Sequence, residues 1–154
     1  MQVHALKSKP GVEFSCVASN LRESLLAVTG FNHYNLRAPR ELLDQLKAFY
    51  CDVVGLREGA RPAFRSFGYW LYAGDHDVLH LSETSPDEVR ATQVITTFDH
   101  VAFTCTNLAA TEEKLTQQGI AYNVRLVAAT GIKQVFFRDP AGNGVEFNFA
   151  AADV

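Results

Sequence analysis

The 154-residue chain holds only three cysteines, one methionine and one tryptophan. Cys16, Cys51 and Cys105 are odd in number, widely spaced and free of any CxxC pattern, so neither a disulfide framework nor a thiolate metal site is expected. They read as small buried hydrophobes. Charged residues make up 20% of the chain and the net charge is −3, so no basic field exists to draw a phosphate backbone, and nucleic acid is not an expected partner. No apolar run approaches the ~20 residues that span a bilayer. Glu13 interrupts the apolar stretch near the start, which spoils a signal-peptide reading and points to a cytoplasmic protein without a membrane partner. What is present is ample core material: 47% of residues are hydrophobic, enough for a fold without staples.

The chain also repeats itself. Phe31-Asn-His33-Tyr-Asn-Leu36 and Phe98-Asp-His100-Val-Ala-Phe103 share a pattern of Phe, any, His, any, any, apolar, and each precedes a helix signal. Tyr69-Trp-Leu-Tyr-Ala-Gly-Asp75 corresponds to Gln134-Val-Phe-Phe-Arg-Asp139, and Val78-Leu-His80-Leu to Gly144-Val-Glu146-Phe. The offsets are 67 residues for His33 and His100 and 66 for His80 and Glu146, which marks a duplication.

Each copy reads as a strand, a helix and three strands. The first strand covers about 31 to 37. Pro39 and Gly55 bracket a helix with Leu42, Leu46, Phe49, Tyr50 and Val53 on one stripe. Strands near 57 to 65, 66 to 73 and 77 to 82 follow, with a turn at Gly74-Asp75. The second copy predicts a strand at 98 to 105, a helix from 108 to 118 closed by Gly119, and strands near 121 to 127, 133 to 138 and 145 to 149. The expected class is α+β, two tandem βαβββ modules forming a curved mixed sheet around a metal site. The division is an N-terminal extension at 1–30, a first module at 31–83, a linker at 84–97 and a second module at 98–150. Within the extension, Ser19 or Asn20 is placed to cap a short helix carrying Leu21, Leu25 and Val28.

Strand alternation selects the candidate site, because successive side chains point to opposite faces. His33, Asn35 and Arg37 share one face and Tyr34 and Leu36 the other. His100, His80 and Glu146 likewise lie opposite apolar neighbours. A carboxylate or imidazole in mid-strand on a concave face needs a partner, since burying a lone charge costs several kcal/mol. A shared cation supplies one, and equivalent positions in both copies make a metal set of His33, His80, His100 and Glu146 the expectation. Three imidazoles and a carboxylate suit a divalent transition metal (Fe, Zn, Ni, Co or Mn) better than calcium or magnesium. Asn35 and Arg37 are candidates for an anionic substrate group, and Tyr69 and Tyr72, flanking Trp70, for the cavity wall. His4 and His76 fall at no repeated position and read as surface residues.

The duplicated pattern resembles the vicinal oxygen chelate superfamily, which includes glyoxalase I, methylmalonyl-CoA epimerase, extradiol dioxygenases and bleomycin resistance proteins. The resemblance covers about 30 to 150. It rests on Phe98-Asp-His100-Val-Ala-Phe and, more specifically, on Phe137-Arg-Asp-Pro-Ala-Gly-Asn-Gly-Val-Glu146-Phe. It implies the same four ligands. The sequence departs from glyoxalase I where His80 replaces a carboxylate, and from extradiol enzymes in filling that position at all. It therefore implies a lyase or isomerase that chelates a small substrate through vicinal oxygens and stabilises an enediolate or enolate, with Glu146 and His80 as catalytic candidates. The alternatives are an extradiol-type dioxygenase using non-haem Fe(II), and a ligand-binding protein of the bleomycin-resistance kind. Exposed sheet edges favour a homodimer, with each site built within one chain or from modules of two.

Overall fold

The computed structural model describes residues 28–153. His4, Cys16 and most of the expected N-terminal helix lie outside the described residues.

The first module opens with strand β1 (Tyr34–Ala38) and helix α1 (Arg40–Phe49). Pro39 precedes the helix with φ −58°, and Leu43 and Leu46 are buried on its inner stripe. The helix continues into a wide π-type turn over Tyr50–Val54 and stops at Gly55, whose φ of 88° is the left-handed conformation glycine tolerates. Strands β2 (Arg57–Glu58), β3 (Gly68–Ala73) and β4 (His76–Glu83) complete the module. The sheet order is β1-β4-β3-β2, with β1 parallel to β4 and the other pairs antiparallel. The strand expected at 57 to 65 shrinks to two residues. Gly59 packs under the Tyr72 ring and Pro62 lacks an N–H, so the chain leaves the ladder there.

The second module repeats the plan with β5 (His100–Cys105), α2 (Leu108–Gln117), β6 (Asn123–Val127), β7 (Ile132–Arg138) and β8 (Gly144–Phe149). The order is β5-β8-β7-β6, so each module builds its own four-stranded mixed sheet and the α+β class stands. Asn107 caps α2 by accepting from the Ala110 N–H.

The modules meet on the faces away from the candidate ligands. Tyr50 and Phe49, at the end of α1, reach the second module. The Phe49 ring lies 6.1 Å from that of Phe137, and the Tyr50 hydroxyl donates to Asp139 Oδ2 at 3.1 Å. Val135, Phe137, Val145, Phe147 and Phe149 share this buried core with Leu71, Leu79 and Leu81 of the first sheet. By alternation, Glu146 and His80 point to the opposite faces of their sheets.

Candidate metal centre

Along β8, Val145 and Phe147 face the core, which turns Glu146 and Asn148 to the other face. Adjacent β7 brings Gln134 opposite Asn148 and Phe136 opposite Glu146. The parallel neighbour β5 brings His100 alongside Gly144. This register delivers one compact cluster. His100 Nε2 lies 2.7 Å from Glu146 Oε2, and the Gln134 amide donates to Glu146 Oε1 at 2.6 Å. Gln134 also donates to Asn148 Oδ1 at 3.3 Å. Glu146 is 4% exposed, so these contacts stand in for the water it has lost.

His100 is bracketed by carboxylates, with Nδ1 2.7 Å from Asp99 Oδ2. If Nδ1–H donates to Asp99, Nε2 turns its lone pair on Glu146, and two lone-pair atoms at that separation require a proton or a cation between them. An imidazole oriented by one carboxylate and facing another is chemistry that fits a divalent transition ion.

The first module presents a second pair. The His33 and His80 rings stack with centroids 3.7 Å apart, and Trp70 stacks on His80 at 4.1 Å with 2° between planes. His80, 8% exposed, also meets Asp77 Oδ2 through Nε2 at 2.9 Å, a contact that lowers the Asp77 carboxyl below the usual range. The four sequence candidates thus form two pairs, one in each module. Among the described residues, no three His, Cys, Asp or Glu side chains come together to hold a metal.

The remaining candidates are engaged elsewhere. Asn35 donates to the Ser82 hydroxyl at 2.9 Å, and Arg37 Nε donates to Glu88 at 3.0 Å. Arg37 and Arg90 together hold the partly exposed Glu88 carboxyl down to about 2. Tyr69 donates to Asp44 of α1 at 2.6 Å, which puts it on the helix-covered face, and Tyr72 donates to the Ala60 carbonyl at 2.8 Å. Trp70 is the aromatic of this run that reaches the histidines. Cys51 and Cys105 are half-buried, and burial pushes the Cys105 thiol up to about 11, so neither is a prepared nucleophile. Sequence reasoning did not single out Gln134, Asp99, Asp77 or Arg125. Gln134 was readable, because it shares alternation parity with Phe136 on a strand beside β8.

Paired βαβββ modules, each a four-stranded mixed sheet with its first and last strands parallel neighbours, are the architecture of glyoxalase-like proteins. The chain belongs to the Glyoxalase/Bleomycin resistance protein/Dioxygenase superfamily, whose family match spans residues 30–147. An Arabidopsis thaliana protein described as Glyoxylase I 4 is 31% identical over 125 residues, covering 79% of this chain and 71% of that protein. Among solved structures, a glyoxylase/bleomycin resistance protein/dioxygenase domain from Frankia sp. EAN1pec aligns with a TM-score of 0.64 at 17% identity, covering 80% of this chain and 99% of its own. Lactoylglutathione lyase from Agrobacterium tumefaciens aligns with a TM-score of 0.56 at 21% identity, covering 81% and 96%. These two structures bear on the fold.

Proposed function

We propose that the protein is a metal-dependent glyoxalase-like lyase or isomerase acting on a small substrate with adjacent oxygens. The observation that carries this reading is the His100–Glu146 pair at 2.7 Å, matched by the His33–His80 pair in the duplicated module. Because the modules meet through their core faces, each pair is open to a partner, and we assign the complete site to two copies: His33 and His80 from one, His100 and Glu146 from the other. A divalent transition ion held there supplies Lewis-acid stabilisation of negative charge on two neighbouring substrate oxygens.

The protein's own residues supply the proton chemistry. Gln134 holds Glu146 Oε1 and Oε2 faces His100 Nε2, so Oε2 can take a proton from a substrate carbon once the carboxylate is released from the shared cation as substrate binds. Asp99 holds the His100 ring so that Nε2 stays directed at the same point.

One observation favours a second reading. His80 is already sandwiched between Trp70 and His33 and bonded to Asp77. If it stays there, His33, His100 and Glu146 remain as a two-His-one-carboxylate set of the kind non-haem Fe(II) oxygenases use. Elemental analysis of protein purified without an affinity tag, followed by Co(II) substitution, tests the first reading. The expected result is one bound ion per site and a shift of the Co(II) spectrum when a hydroxamate is added, with no oxygen uptake. Oxygen consumption stoichiometric with a catechol by iron-loaded protein would transfer the assignment to the dioxygenase. Metal-free protein that takes up no Co(II) would overturn both.

A further inference from the structure

Resting on the proposed site, we infer that the substrate carries a single negative charge, a carboxylate, bound by Arg125. The concave face of the second module holds a cavity of about 640 Å³ that joins Arg125 to His100, Glu146, Gln134 and Phe136. Arg125 is the cation of that lining, while Glu146 and Asp99 are both acidic. No ion pair or hydrogen bond engages its guanidinium among the described residues, in contrast to Arg37, which Glu88 holds.

Its position is fixed by the sheet. Arg125 sits opposite Gln134 across the β6–β7 ladder, and Gln134 in turn reaches Glu146. Arg125 is therefore two strands from the catalytic carboxylate, roughly 10 Å between backbones. The guanidinium carbon lies 5.9 Å from the centre of the Phe136 ring, and Phe136 meets the His100 ring edge-on at 5.7 Å. Phe136 thus touches both Arg125 and His100, and the unengaged guanidinium beside it can grip a carboxylate with two parallel N–H donors. Asn123, on the same face of β6 and lining the same cavity, adds an amide donor beside it.

Charge count sets the class of anion. With a divalent ion in the proposed site, the ion, Arg125, Glu146 and Asp99 sum to one positive charge, which a single carboxylate neutralises, whereas a dianionic phosphate would leave the cavity net negative. A compact substrate with vicinal oxygens at one end and a carboxylate at the other spans the distance. The interaction is one of positioning and selectivity: Arg125 touches the far end of the substrate and leaves the proton transfer to Glu146.

Two hydroxamates of equal length test this by calorimetry on the Co(II)-substituted protein, one ending in a carboxylate and the other in a carboxamide. Wild type should bind the carboxylate form at least about tenfold more tightly. Arg125→Ala should erase that preference while keeping the carboxamide affinity and the Co(II) spectrum, and Arg125→Lys should restore part of it. Equal binding of the two probes by wild type, an undiminished preference in Arg125→Ala, or tighter binding of a phosphonate-ended probe would overturn the inference. Binding of neither hydroxamate overturns the proposed function itself and the inference with it, which separates the two failures.

Discussion

Glu146→Ala is expected to lower turnover by about a hundredfold to ten-thousandfold, the range over which a positioned general base acts, even when metal is supplied in excess. The substitution removes the carboxylate facing His100 Nε2 at 2.7 Å and leaves the Gln134 amide without its acceptor on Oε1. Glu146→Gln separates the two roles of the residue. It keeps a polar group of the same shape on β8 but offers no basic oxygen, so kcat should fall nearly as far as in Glu146→Ala while the fold is retained. Steady-state rates against the metal concentration, with thermal midpoints measured in parallel, check the expectation. Activity in Glu146→Gln within a few-fold of wild type would assign the proton to another group.

The largest effect on stability is expected at Asp139. This carboxylate is 4% exposed and serves both modules. Oδ1 accepts from the Ala141 and Asn143 backbone N–H groups at 2.9 Å each. Oδ2 accepts from the Asn143 side chain at 2.9 Å and from the Tyr50 hydroxyl of the first module at 3.1 Å. Asp139→Ala strands these donors in the interior, at a cost of about 3 kcal/mol or more, since unmatched buried donors lose more than a hydrogen bond contributes. For a domain of this size that corresponds to a drop of roughly 10 °C in the thermal midpoint. Tyr50→Phe removes only the contact between modules and should cost about 1 kcal/mol. An Asp139→Ala midpoint equal to that of wild type would show that the loop and the module contact hold without the carboxylate.

The repeat made most of the fold legible before any coordinates. Matching Phe-x-His motifs fixed the two first strands, and alternation placed His80 and Glu146 on the faces opposite Leu79, Leu81, Val145 and Phe147, as the structure has them. Pro39 and Gly55 bracketed the first helix and its terminal turn correctly because each has one strong backbone preference. The second strand of the first module was overestimated, since apolar residues at Ala63 and Phe64 do not compensate for Gly59 and Pro62 in a ladder. Tyr69 and Trp70 are adjacent in sequence, yet the first reaches Asp44 on the helix side and the second stacks on His80. An aromatic run read as one wall was two faces. Arg37 shared a face with His33 as expected, but its partner Glu88 comes from the linker, a contact that periodicity within a strand cannot reveal. The division of the four ligand candidates into two pairs was also invisible, because it depends on which sheet faces the modules press together.

If two copies complete one another's sites, two crippled variants should rescue each other when mixed. One variant carries His33→Ala and His80→Ala, the other His100→Ala and Glu146→Ala, and each alone should bind no metal tightly and show no turnover. After unfolding together and refolding, half of the dimers pair unlike chains, and each such dimer holds one site with all four native residues, so about a quarter of wild-type metal content and activity should return. Return of no metal and no activity, with mixed dimers shown to be present by differential tags, would place the complete site within a single chain and contradict the assignment to two copies.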